Sequence, residues 1–334
     1  IQSNLSARMN TTWDNFVFYA KIDNESQSDA VKFQTYSSET LYAKNTPDFA
    51  GYKNINQLIK DIELPREWQK DLKSYCDEKG IEFMSTPFDE QAVQELVDLG
   101  VKRLKIAGFE ATDPRFVEMV ASTKLPIIMS IGIGFQMNYM GKFLDIFEKH
   151  ENHVTFLQCN NAYPTPMEDI NLKSIETLSH FKGVDLVGLS DHTMSTLTPA
   201  LAVAAGAQVI EKHFTLSRTM EGPDHPFAME PDQLKEMVEN IREAEKAMNS
   251  RAGRYSKSEE SFSKARRSVV TKCDLKKGDI LTEDNTTTKR PLLEESVPAI
   301  DYYSIMGYPI SEDIKDDTPI QKSLIPHYYE TFGC

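Results

Sequence analysis

At 334 residues the chain is long for one domain and suits a large domain followed by a small one. Its 40% hydrophobic and 26% charged residues are the balance of a globular protein in water, and no apolar run approaches the roughly 20 residues that span a bilayer. A net charge of −14 argues against nucleic acid as a partner, and any anionic substrate must be attracted by lysines and amides gathered locally.

The opening residues Ile1-Gln2-Ser3-Asn4 carry no basic region followed by an apolar core, so no secretory signal is read and a cytoplasmic location is expected. Cys76, Cys159, Cys273 and Cys334 are scattered without metal or redox spacing. Residues 1–9 make a poor strand, yet they stand where a first strand is needed. Clearer strands follow at 29–35 (DAVKFQT), 81–86 (IEFMST), 101–107 (VKRLKIA), 126–130 (PIIMS), 154–158 (VTFLQ), 186–190 (LVGLS) and 208–214 (QVIEKHF). Helical patterns separate them at 68–78, 89–99, 114–122, 139–150, 171–180 and 199–205, with Asp89 and Asp113 as helix starts. A longer amphipathic helix is expected at 231–247.

This strand–helix rhythm over about 250 residues predicts a (β/α)8 TIM barrel over 1–249. An open doubly wound sheet fits less well, because polar strand ends occur in nearly every unit. The stretch 250–264, rich in Ser, Lys and Glu, reads as a linker. A small β-rich domain is expected over 265–334, opened by Arg267-Ser268-Val269-Val270 and a turn at Lys276-Lys277-Gly278-Asp279.

In parallel α/β folds chemistry gathers at the carboxyl ends of strands. Those ends carry Lys32 and Gln34, Ser85 and Thr86, Lys105 and Glu110, Ser130, Asn160 with Tyr163, Ser190-Asp191-His192, and Glu211-Lys212-His213. Lysines inside apolar strands, together with the histidines, point to a phosphorylated anion plus a metal, with the hydroxyls of Ser85, Thr86, Ser130 and Ser190 as further donors. Two histidines after adjacent strands either share a metal ion or each hydrogen-bond a loop.

In this order and spacing, Lys32-Phe33-Gln34-Thr35, Ser85-Thr86-Pro87-Phe88, Lys105-Ile106-Ala107, Tyr163-Pro164-Thr165-Pro166, Gly188-Leu189-Ser190-Asp191-His192-Thr193, Glu211-Lys212-His213-Phe214-Thr215 and Gly222-Pro223-Asp224-His225 resemble the sialic acid synthase family. Its members include N-acetylneuraminate, legionaminate and pseudaminate synthases. The region around Arg267-Ser268 and Thr288-Lys289-Arg290-Pro291 resembles the family's antifreeze-like (SAF) domain.

The resemblance implies a TIM barrel that condenses phosphoenolpyruvate with an N-acetylmannosamine-type hexosamine, releasing phosphate. It implies a divalent metal on His192 and His213, manganese above all, with magnesium or cobalt as the other candidates. Lys32, Thr86, Lys105, Ser130 and Ser190 are expected around phosphoenolpyruvate, with Asn160 also in the substrate-binding set. Gln34, Glu110, Tyr163 and Asp224 are expected to face the sugar, and Glu110, Lys32 and Lys105 to carry the catalysis. A domain-swapped homodimer is implied, in which Arg290 serves the neighbouring barrel.

Three departures stand out. The family's first strand reads Glu-x-Gly-x-Asn-His, and counting back from Lys32 places Asn4 at the glutamate. Gly108 replaces a serine, and Leu292 replaces a glycine. Two other readings therefore remain: a metal-independent aldolase with a Schiff base on Lys32 or Lys105, and a non-catalytic or altered-substrate member that binds phosphoenolpyruvate or sugar.

Overall fold

A computed structural model of the chain describes residues 17–21, 29–48, 51, 53–248 and 256–332. The chain divides into two compact units, Ile1–Ser250 and Arg251–Cys334.

In the first unit the apolar runs form strands β1 (Val17–Lys21), β2 (Ala30–Thr35), β3 (Glu82–Pro87), β4 (Leu104–Ile106), β5 (Ile127–Ile131), β6 (Val154–Cys159), β7 (Leu186–Asp191) and β8 (Val209–His213). Between and after them lie helices α1 (Ser38–Leu41), α2 (Ile55–Ile62), α3 (Gln69–Lys79), α4 (Glu90–Leu99), α5 (Pro114–Ala121), α6 (Met140–His150), α7 (Lys173–Ser179), α8 (Thr198–Ala204) and α9 (Pro231–Met248). Asp89 caps α4 by accepting from the Ala92 amide at 2.7 Å, and Asp113 caps α5 from the Arg115 amide at 2.9 Å. Such caps contribute about 1 kcal/mol each by satisfying amides that have no partner within the helix.

The strands join in the order β3-β2-β1-β8-β7-β6-β5-β4. The pairs β2·β3 and β4 through β8 are parallel. Strands β3 and β4 pack side by side, without a ladder between them among the described residues. Strand β1 is antiparallel to both β2 and β8, and this corrects the expectation of eight parallel strands. The physical reason is chain length. Residues 22–29 alone connect β1 to β2, whereas a parallel crossover needs a dozen or more residues. Residues 1–9, read from sequence as the first strand, lie outside the described residues.

Alternation along β2 to β8 separates two faces. Phe33, Phe83, Ile106, Met129, Phe156, Leu189 and Ile210 face the helices and join their apolar residues in the main core. The alternate positions Ala30, Met84, Ile128, Leu157 and Val209 form a second, small apolar cluster on the other face. That inner face is tightly closed at Gly188, where a Cβ would meet the Val209 carbonyl oxygen at 2.0 Å. One step further along β2, β3, β5 and β8 the inner positions turn polar, at Lys32, Thr86, Ser130 and Glu211.

The second unit pairs β9 (Ser268–Thr271) antiparallel to β10 (Thr286–Lys289) and ends in α10 (Tyr328–Phe332). Its own core holds Val269, Leu281, Val297, Ile305 and Ile320, all fully buried. Lys257–Ala265, within the stretch read as a linker, forms 3-10 turns started by a Ser256–Glu259 capping box. No helix among the described residues is long and apolar enough to cross a membrane.

Candidate active site

The polar layer above the inner apolar cluster is built from one residue per strand end. Lys32 on β2 donates to Thr86 Oγ1 on β3 at 3.1 Å. Lys105 on β4 donates to Ser130 Oγ on β5 at 2.8 Å and to the Ile106 carbonyl at 2.9 Å. Ser190 on β7 donates to Glu211 Oε1 on β8 at 3.0 Å, and Glu211 Oε2 lies 3.7 Å from Lys105 Nζ. Both lysines are buried, 3% and 1% exposed. A buried ammonium carries a desolvation penalty of several kcal/mol unless it is compensated. Burial pushes the Lys32 pKa down to about 8, and the charge of Lys105 pushes the same way; Glu211 opposes both. At neutral pH Lys32 is still mostly charged. Glu211 lies 3.7 Å from Lys105, and both Glu211 and Asp224 favour the charged form of Lys32.

The two histidines lie beside this layer. Their ring centroids are 5.2 Å apart. His192 Nδ1 donates to the Asn160 carbonyl at 2.6 Å, and His213 Nδ1 lies 3.3 Å from Asp224 Oδ2. Each ring thus has one nitrogen engaged by oxygen and Nε2 left over, which is how the outer partners of metal-bound imidazoles fix the tautomer. Burial, with His213 as a second cause, pushes His192 down to about 3, so it stays neutral as ligation requires. Among the described residues no group of three or more His, Cys, Asp or Glu gathers at metal distance. Among the described residues the pair would offer a cation two imidazole nitrogens. Tyr163, 4.3 Å from the His192 ring, and Phe227, 5.1 Å from the His213 ring, wall the pair.

The residues expected to face the sugar are spread around these groups. Glu110 opens a 3-10 turn after β4, and its Oε2 is buried with no hydrogen-bond partner. Burial pushes its pKa up to about 7, against the pull of its own backbone hydrogen bond and of Lys105. Gln34 is in register with Thr86 on the inner face. Asn160 spends its side chain on its own loop, accepting from the Ala162 amide at 2.8 Å and donating to the Asp169 carbonyl at 3.2 Å. Arg290 is exposed just after β10 in the second unit.

Ser85 is a correction. It lies one residue before Thr86 and so faces the helices, 2.7 Å from Thr35 Oγ1, which in turn donates to Gln69 at 3.1 Å. Period-two alternation forbids both Ser85 and Thr86 from lining one face. Sequence reading also missed Glu211 as the carboxylate between the lysines, although alternation with His213 could have found it. Asn161 was missed too. Its Oδ1 accepts from the Ile133 amide at 3.0 Å, and it occupies space that only glycine leaves: a Cβ on Gly132 would lie 2.1 Å from that oxygen. A surface cavity of about 220 Å³ lies at the opposite end of β3, lined by Lys73, Asp77, Glu82 and Lys102; the polar layer takes no part in it.

Buried lysines, hydroxyls and paired imidazoles gather at the carboxyl ends of the parallel strands of an α/β protein. The chain belongs to the NeuB family, whose profile matches residues 20–252, and the SAF domain profile matches residues 266–326. It is 38% identical over 281 residues to an N,N'-diacetyllegionaminic acid synthase of Legionella pneumophila, covering 80% of this chain and 78% of that protein. It is 34% identical over 313 residues to a pseudaminic acid synthase of Campylobacter jejuni, covering 91% and 90%. Among solved structures, an N-acetylneuraminic acid (sialic acid) synthetase from Leptospira borgpetersenii in complex with citrate matches with a TM-score of 0.65 and 31% identity. That match covers 71% of this chain and 80% of the other.

Proposed function

We propose that the protein condenses phosphoenolpyruvate with an N-acetylated mannose-type hexosamine to give a nonulosonate and inorganic phosphate. The observation that carries this reading is the buried pair Lys32 and Lys105, with its hydroxyl partners, next to two imidazoles that each keep one nitrogen free of the surrounding loops. The sheet, read as a barrel closed across β3 and β4, gathers these groups at one mouth. Lys32, Lys105, Thr86, Ser130 and Ser190 hold the carboxylate and phosphate of phosphoenolpyruvate by charge-assisted hydrogen bonds. Glu211 orients Ser190 and keeps the lysines charged before the substrate enters.

His192 and His213 fit a divalent cation, manganese first among candidates, and such an ion supplies Lewis-acid polarisation of the sugar aldehyde. The methylene carbon of phosphoenolpyruvate attacks the aldehyde carbon, forming the new C–C bond. Glu110, whose pKa burial raises to about 7 so that a large fraction carries a proton near neutral pH, gives that proton to the developing alkoxide. Its carboxylate then takes a proton from the water that adds at the enol carbon. Collapse of that adduct breaks the bond from carbon to the phosphate oxygen and leaves the ketone. Gln34, Tyr163 and Asp224 position the sugar, and Arg290 of a swapped second unit completes the site in a homodimer.

The test is phosphate release from phosphoenolpyruvate with Mn²⁺ and a panel of N-acetylhexosamines, with products identified by mass. Release that depends on one mannose-type acceptor, with a product of the condensed mass, is expected. Release without an acceptor, or none at all with any of them, would contradict the reading. The lowered pKa of Lys32 favours one competing reading, an aldolase that forms a Schiff base on that lysine.

A further inference from the structure

Asp191 is the last residue of β7, and Lys212 stands one before the last of β8; the two are register partners. His192 and His213 follow them directly. Alternation turns Asp191 and Lys212 to the helix side of the sheet, away from the layer that would hold substrate. Lys212 Nζ lies 2.7 Å from Asp191 Oδ2, and the two side chains are 1% and 0% exposed. The same ammonium donates to the Thr193 carbonyl. Asp191 Oδ1 accepts from the Thr193 amide at 2.8 Å, and the Thr193 hydroxyl reaches Thr198 at the start of α8 at 3.2 Å.

Both neighbours of His192 are thus tied to one ammonium group, and that group belongs to the residue before His213. An ion pair this deeply buried is rarely retained for stability alone, because apolar side chains of similar volume are often as stable or more so. What apolar side chains cannot do is fix the two backbones to each other through directed bonds.

We propose that Asp191 and Lys212 form a positioning clamp that holds the two imidazoles at the spacing one divalent cation needs. The clamp rests on the reading of His192 and His213 as a metal pair. Groups that hydrogen-bond and orient a metal ligand are typically worth about 10–100-fold in metal binding, and the clamp acts on the same two ligands through their backbones.

The full chain and its Asp191→Leu/Lys212→Met variant are titrated with Mn²⁺ alone, free ion being counted by electron paramagnetic resonance, with thermal unfolding followed in parallel. The variant leaves no charge unpaired but takes partners from the buried Thr193 amide and carbonyl, so it is expected to unfold below the parent temperature and to bind Mn²⁺ about 10–100-fold more weakly while folded. Asp191→Asn keeps the side-chain shape and provides a second variant should the double one not fold; it too is expected to bind Mn²⁺ more weakly. A parent-like Mn²⁺ Kd in either folded variant overturns the clamp, whatever happens to the unfolding temperature. Failure of the parent itself to bind Mn²⁺ overturns the metal reading, and the clamp with it.

Discussion

Strands β8 and β1 are hydrogen-bonded neighbours, with Val17 opposite His213. β8 is parallel to β7, and both bring their carboxyl ends, with Ser190, Glu211 and the two histidines, to one edge of the sheet. β1 runs the other way, so its amino end lies beside His213. A residue at the carboxyl end of β1 cannot reach that edge. The comparison separates the site into two halves. Strands β2 to β8 carry the half proposed here for anion and metal, and parallel pairing sets the position of its residues. Strand β1 brings its amino end to that edge instead, because the link to β2 is too short for a parallel return.

The largest effect is expected on the β7–β8 side. Replacing His192 or His213 with Ala removes one of two protein nitrogens and the several kcal/mol of charge stabilisation that depend on them. Metal-dependent turnover should fall by roughly 10³-fold or more. Circular dichroism should show the fold retained. Near-parent turnover in either variant would break the proposed division of the site.

The next effect falls on Glu110. Glu110→Gln should lower kcat by roughly 10²–10⁴-fold. The sign of the pH dependence follows from the raised pKa. The acid form is present below about 7 and is lost above it. In the parent, kcat/KM should therefore decline as pH rises through about 7, and the Gln variant should show no such limb. A limb of the opposite sense would make Glu110 a base in the first step.

The smallest effect is expected at the first strand. Val17–Lys21 is the strand that lies between β2 and β8. Asn4→Glu should then change sugar turnover by no more than about twofold. A gain approaching the roughly 10²–10⁴-fold worth of a positioned carboxylate would show that Asn4 stands at the acceptor after all.

Much of the β2–β8 half was legible in the sequence, because period-two alternation places Lys32, Thr86, Lys105, Ser130, Ser190 and His213 without knowledge of the tertiary fold. Alternation applied strictly would also have excluded Ser85. What could not be read were relations between strands. That Glu211 lies between Ser190 and Lys105, or that Asp191 meets Lys212, depends on register, and register is set by packing of the whole sheet. Asn161 was hidden for a similar reason: its seat exists because Gly132, on another strand end, has no side chain. The direction of β1 was readable in principle from the eight residues 22–29 that join it to β2, but only once a strand had been recognised at 17–21.

The central claim is metal-dependent condensation on buried lysines that act as charges rather than nucleophiles. One experiment tests it most directly: the protein is stripped with EDTA, assayed with phosphoenolpyruvate and the accepted sugar with and without added Mn²⁺, and treated in parallel with pyruvate and borohydride. The account predicts activity that vanishes on stripping, returns with Mn²⁺, and leaves no reduced adduct on Lys32 or Lys105. Activity that survives stripping, together with pyruvate trapped on either lysine, would contradict it.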